Sequence, residues 1–329
     1  MREKKLKMEL PPVIGYLHHS YHLSIAQEHP FFNEWFFCNY IQLKYYPKKD
    51  WLNFFSMDIH YNHFPLLDVQ ILRSEIIKNN KIDVVEFVIN CIESDYYVWL
   101  YIDEFYDPDK EAYNTWHHTH EYLLYGYSCD KCCLHSVGFN NQFTQSAYTF
   151  SEISFDDFLK AFNNAEGNFQ IKILKCNQNA SYEFDIVNVK NILEDYVKSE
   201  NTSKRNRMLC NPTSDAIYGM EIYKYLKMRF ENPINSTTLL DIRPLHIMWE
   251  HKKCMVLRIK FLCDHQYSDN LDPIYNAYRD FEKKILILRN LQLRYIDTKK
   301  DHFINKIISY LDEISYEETQ ILTELLKCI

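Results

Sequence analysis

A chain of 329 residues with 47% hydrophobic side chains can bury one large or two modest cores. It has only five glycines and no G-x-G-x-x-G or Walker pattern, which speaks against Rossmann or P-loop nucleotide chemistry. The formal net charge of −8 speaks against nucleic-acid binding. No stretch approaches the roughly eighteen apolar residues of a membrane span, and the basic start "MREKKLKMELPPVIGYL" lacks the apolar run of a signal peptide, so ten scattered cysteines read as reduced thiols of a cytoplasmic protein.

In chain order, residues 14–29 and 33–46 read as helices separated by Pro30, and Phe64–Asn80 reads as a third on its spacing of Leu67, Ile71, Leu72 and Ile76. "DVVEFVINCIESD" continues as helix. Tyr96–Tyr106 is β-rich and apolar, as in a buried strand. Further strands are expected at Glu121–Tyr127, "CCLHSVGF" and "AYTFSEIS", followed by a helix capped by Ser154. "FQIKILKC" and "YEFDIVNV" read as one more hairpin. The pattern is α+β, with a domain over 1–197, a polar linker over 198–214, and a mainly helical region over 215–329. The expected C-terminal helices are 215–230, 240–263, 272–295, 301–313 and 316–328.

"NTWHHTHEYLLYGY" concentrates His117, His118 and His120 ahead of an apolar strand. A histidine at a strand start has a fixed backbone and an ordinary pKa near 6.5, which suits acid–base work. His120 fits best, because "EYLLYGY" follows it directly; the bland alternative is a surface histidine. Three close histidines, or Cys129, Cys132 and Cys133 of "CDKCC", also raise zinc. Zinc requires three or four ligands with supporting partners, and a lone C-x-x-C does not supply them, so no metal is expected.

The order "YVWLYIDEFYDPDKEAYNTWHHTHEYLLYGY" resembles the papain-like domain of the butirosin biosynthesis protein H family and of related amide-forming proteins of peptide-antibiotic clusters (closthioamide type). The shared features are Asp103, Tyr106, Pro108, Tyr113, His120, Gly126 and Tyr127. "LHIMWEHKKCMVLRIKFL" also resembles the helical region that follows in these relatives. The resemblance implies a papain-like cysteine-protease fold. It also implies an acyltransferase that moves an acyl or peptidyl group from a carrier-protein thioester to a small amine, making an amide in a specialised metabolite. In that chemistry a thiolate attacks the thioester, His relays the proton, and an amine resolves the acyl-enzyme. No cofactor is implied beyond the phosphopantetheinyl arm of the acyl carrier protein, and no nucleic acid or membrane partner.

The chain departs from the family where the nucleophile belongs. The family places a Cys after a His at the start of an early helix, whereas "LHHSYHLSIAQ" has Ser20 after His19. The nearest early thiol is Cys38, expected one to two turns inside its helix, away from the N-terminus that would lower its pKa. Ser20 is the other candidate nucleophile. Asn140, or Asp103 on the preceding strand, would orient the His120 ring. Two other readings stay open: a catalytically degenerate homologue that binds a carrier protein or acyl ligand, and a cysteine peptidase or thioesterase. Ser203–Arg207 and Glu250–Lys260 are candidate basic patches for an acidic carrier.

Overall fold

The computed structural model describes residues 2–56, 62–142, 145–207, 212, 215–235 and 237–329, without the side chains of 142, 145, 146 and 206. The chain is α+β, with antiparallel sheets and a helical C-terminal region. It forms two compact units that are discontinuous in sequence. Met1–Phe32 and His60–Ser181 make the first, and Asn33–Ile59 and Tyr182–Ile329 make the second. Residues 33–59 and 182–197 thus belong with the C-terminal helices, where the sequence reading had grouped them with the N-terminal domain.

The elements of the first unit begin with β1 (Glu3–Lys5) and α1 (Leu17–Ala26). The short helix α2 (Phe32–Cys38) then leads into the second unit, which contributes the strands β2 (Leu43–Tyr46) and β3 (Trp51–Phe54). Back in the first unit come β4 (Leu67–Arg73), α3 (Ser74–Asn79), α4 (Val84–Glu93), β5 (Tyr97–Asp103), β6 (Thr119–Ser128), β7 (Cys133–Gln142), β8 (Gln145–Ser154), α5 (Phe155–Asn164) and β9 (Gln170–Cys176). The strands form one antiparallel sheet in the order β4-β9-β5-β6-β7-β8, with β1 beside the far end of β6. β5 alternates as a two-sided strand should. Val98, Leu100 and Ile102 enter a core with Val88 and Ile92 of α4 and Phe158 and Phe162 of α5. Trp99 meets Tyr21 of α1 edge-on at 5.4 Å, and the Tyr21 hydroxyl donates to the Glu121 carbonyl at 3.2 Å.

The structure departs from the expected elements at three places. The stretch Phe64–Asn80, expected as helix, is mostly strand: β4 pairs with β9 from Leu67↔Cys176 to Arg73↔Gln170, and only Ser74–Asn79 is helical. Helix 33–46 ends at Cys38, because Tyr40 takes a left-handed φ of 51°, and β2 then pairs with β3. The expected strand at 182–189 does not form, and a helix starts at Ile186. The Asp185 carboxylate accepts from the Asn188 N–H at 2.9 Å, and Val189, Leu193 and Tyr196 bury one helical face.

The second unit adds α6 (Ile186–Lys198), the short strand β10 (Ile217–Tyr218), α7 (Ile222–Glu231), α8 (Arg243–Asp264), α9 (Asp272–Thr298) and α10 (His302–Cys328). The last is one continuous helix where two were expected. The interior of the second unit holds a polar cluster: the fully buried Lys252 ammonium lies 2.8 and 2.9 Å from the two Glu318 carboxylate oxygens. Tyr196 accepts from Lys252 at 2.7 Å, and the Tyr223 and Tyr278 hydroxyls donate to Glu318. A buried charge left without its partner is costly, so Glu318→Ala is expected to lower the unfolding free energy by about 3–5 kcal/mol. Lys252→Met/Glu318→Leu should recover much of that loss, and denaturant unfolding of the full chain measures both.

Candidate functional site

The site lies at the corner where β5 ends and β6 begins. The ladder pairs Asp103 with Thr119 and Ile102 with His120, so the acidic end of one strand faces the histidine-rich start of the next. Asp103 is 2% exposed and caps the single-turn 3₁₀ helix Glu104–Tyr106. Its Oδ1 accepts the Phe105 N–H at 3.1 Å and the His118 N–H at 3.0 Å, and its Oδ2 lies 2.6 Å from His117 Nδ1. Burial pushes this carboxyl up, but the hydrogen bonds from His117 and the two backbone amides outweigh it and hold the group below its ordinary value. The His117 ring stacks on Phe105 at 4.4 Å.

One residue further, Glu104 Oε1 lies 3.1 Å from His120 Nδ1. Burial again opposes ionisation, and the bond to His120 more than compensates, so this carboxyl too lies below the usual range. The His118 ring lies 5.0 Å from that of His120, and ligand atoms of Glu104, His118 and His120 are close enough together to share a metal ion. Glu104, His118 and His120 line a cleft of about 240 Å³ whose apolar walls include Leu17, Trp116 and Phe139. Lys110 lines it as well. It is 5% exposed, donates to the Phe139 carbonyl at 2.8 Å and to Asn140 Oδ1 at 2.7 Å, and sits over the Tyr122 ring. Burial lowers its pKa, while Asp107 and Glu104 act to keep it charged.

The residues singled out from sequence are distributed unevenly. His120 lines the cleft, and the carboxylate that holds its ring is Glu104, which sequence reasoning passed over. Asp103 anchors the same corner but pairs with His117. The Asn140 amide is occupied otherwise: its oxygen accepts from Lys110, and its nitrogen donates to the Gly138 and Thr149 carbonyls. Ser20 is fully buried within α1 and donates to the Leu17 carbonyl at 3.2 Å. The cleft is met instead by Leu17, at the start of that helix.

Cys38 belongs to the second unit, at the last position of α2, where the helix dipole disfavours a thiolate. Burial pushes its thiol up, and its sulfur sits between the Asp185 N–H, which donates at 3.2 Å, and the Asp185 carbonyl at 3.9 Å. Among the described residues lining the cleft there is no cysteine, serine or threonine.

The candidate basic patches are also changed by the fold. Arg258 is fully buried and donates to the carbonyls of Phe37, Asn39 and Tyr40, where it caps the C-terminal end of α2, and Lys252 is buried against Glu318. Arg205 forks onto Asp195.

Glu104, Lys110 and Trp116 were missed from sequence. The only signal for Glu104 was its adjacency to Asp103 at a strand end. No protein-family model matches the chain, and no curated protein sequence matches it.

Asp103 supplies the pH test of this geometry. Its folded pKa is depressed, so its contribution to stability is fully present above the unfolded value near 3.9 and is lost as pH falls through the folded value. Asp103→Asn is expected to cost about 1.5–3 kcal/mol at pH 7, the range for hydrogen bonds to a charged group, and to flatten the acid limb of the stability profile. Urea unfolding of both proteins between pH 2 and pH 7 measures it.

Proposed function

We propose that the first unit is a papain-like domain that transfers an acyl group from a carrier-protein thioester to an amine, with His120 as general base and no acyl-enzyme intermediate. The observation that supports this reading is the His120–Glu104 dyad in an apolar-walled cleft that no described hydroxyl or thiol lines. With Nδ1 engaged by Glu104, Nε2 is the ring nitrogen left for proton transfer. The amine nitrogen attacks the thioester carbon and passes its proton to Nε2. The C–S bond then breaks, and the imidazolium returns the proton to the departing pantetheine sulfur. Two of the three Lys110 N–H donors are held by Phe139 and Asn140, and the third would serve the oxyanion. Leu17, Trp116 and Phe139 give the cleft apolar walls. A second reading, a binding protein that has kept the fold and lost the chemistry, is favoured by the same lack of a nucleophile in the cleft.

The test incubates the protein with an acylated carrier protein and a panel of amines, and follows amide and intact protein mass together. Wild type is expected to form amide without gaining acyl mass. His120→Ala should lower the rate about 10²–10⁴-fold, Glu104→Gln should lower it in the same direction, and Cys38→Ala and Ser20→Ala should leave it unchanged. An acyl adduct on wild type that disappears with Cys38→Ala or Ser20→Ala would restore the covalent route. Carrier binding without amide would establish the binding protein.

A further inference from the structure

A second constellation lies on the β7–β8 hairpin, remote in register from the cleft. Cys133 and His135 are two residues apart on β7, so their side chains share one face of the strand. Glu152 of β8 is the cross-strand partner of His135. His135 Nδ1 lies 3.3 Å from Glu152 Oε1, and Cys133 Sγ lies 3.7 Å from Glu152 Oε2. Tetrahedral zinc, with Zn–N and Zn–O near 2.0–2.1 Å and Zn–S near 2.3 Å, sets its ligand atoms roughly 3.3–3.6 Å apart. The two edges to the Glu152 carboxylate, 3.3 and 3.7 Å, are close to that spacing, and the ligand atoms of all three residues lie within 4.8 Å of one another.

The surroundings supply what a metal site needs beyond its ligands. His135 is 1% exposed, and its Nε2 has no hydrogen-bond partner among the described residues. The nearest carboxylate, Glu3 Oε1 on β1, is 3.9 Å from that nitrogen, in place to take the second N–H of a metal-bound imidazole. The ring passes over Gly126, where a Cβ would come within 3.0 Å of His135 Cδ2, so the glycine leaves the ring its space. Lys131, 3.3 Å from Glu152 Oε1, is the cation an ion would displace, and its side chain is 60% exposed and free to move away.

We propose that Cys133, His135 and Glu152 form a binding site for a zinc-class divalent cation, with a fourth position open to water or a ligand. The mixed sulfur, nitrogen and oxygen donors select a borderline ion over magnesium or calcium. Binding transfers the Cys133 thiol proton to solvent and replaces the cysteine–glutamate hydrogen bond with two bonds to the metal. The site owes nothing to the C-x-x-C of the same hairpin: Cys132 is exposed, with its thiol on the Cys129 carbonyl, and Cys129 packs against the hydrophobic core. It is also independent of the acyl-transfer reading, which uses none of these residues.

Cobalt(II) is the probe, because a thiolate ligand gives it a charge-transfer absorption that histidine and carboxylate sites lack. Titration of the metal-stripped full chain is expected to bind one equivalent with that absorption. Cys133→Ser should abolish the band. Glu152→Gln, a change at a half-exposed side chain that leaves the fold intact, should weaken cobalt binding at least tenfold. Cys129→Ser, Cys132→Ser and His120→Ala should leave band and affinity unchanged. A wild-type protein without the band overturns the proposal. So does a band that survives Cys133→Ser or disappears with Cys132→Ser, an affinity unaffected by Glu152→Gln, or binding that requires His120.

Discussion

The Asp103 carboxylate is the constraint on which the cleft depends. It is buried at the end of β5, and a buried carboxylate must be fully hydrogen-bonded to remain charged. It meets that demand by drawing in the Phe105 and His118 backbone amides and the His117 ring. The first bond turns the chain into the 3₁₀ helix that carries Glu104. The second ties the returning segment to that turn just before β6. Glu104 and His120 meet across a turn whose Phe105 and His118 amides are held by the same carboxylate. The His120–Glu104 pairing and local stability are therefore linked at this corner.

The cleft and the buried thiol illustrate opposite uses of burial. Glu104 is pushed up by desolvation yet held down by His120, so its carboxyl lies below the usual range at the cleft. Cys38 is pushed up by burial, which outweighs the Asp185 amide, Tyr182 and Arg258, and its sulfur is occupied by the Asp185 backbone. Cys38 links the end of α2 to the residue that caps α6. The second unit repeats this logic on a larger scale, with Lys252, Glu318 and three tyrosines satisfying one another in its interior. Arg258 meets the carbonyls left free where α2 ends, a use of arginine's forked donors that charge counting along a sequence reads as surface.

Much of the frame was legible in the chain. The β-rich apolar stretch Tyr96–Tyr106 and the run after His120 marked two central strands, Ser154 marked the start of α5, and the long periodic segments marked the C-terminal helices. The misread segments were those where two local patterns competed. "LLDVQILR" suits helix or strand, and β9 decided it. "YEFDIVNV" looks like strand by composition, and the Asp185 cap made it helix.

The sequence by itself determined that this is an α+β chain with a histidine-led strand, because hydrophobic periodicity, capping residues and strand propensity act over a few neighbouring residues. Only the tertiary structure decided which acid holds which histidine. Partnering between side chains on adjacent strands depends on ladder register, and register is set by the whole sheet. It paired His120 with Glu104 and His117 with Asp103, and gave Asn140 to Lys110. It set Cys38 and His120 in different compact units, and brought Cys133, His135 and Glu152 within ligand distance across a hairpin. These are contacts between residues whose separation along the chain carries no information about their separation in space.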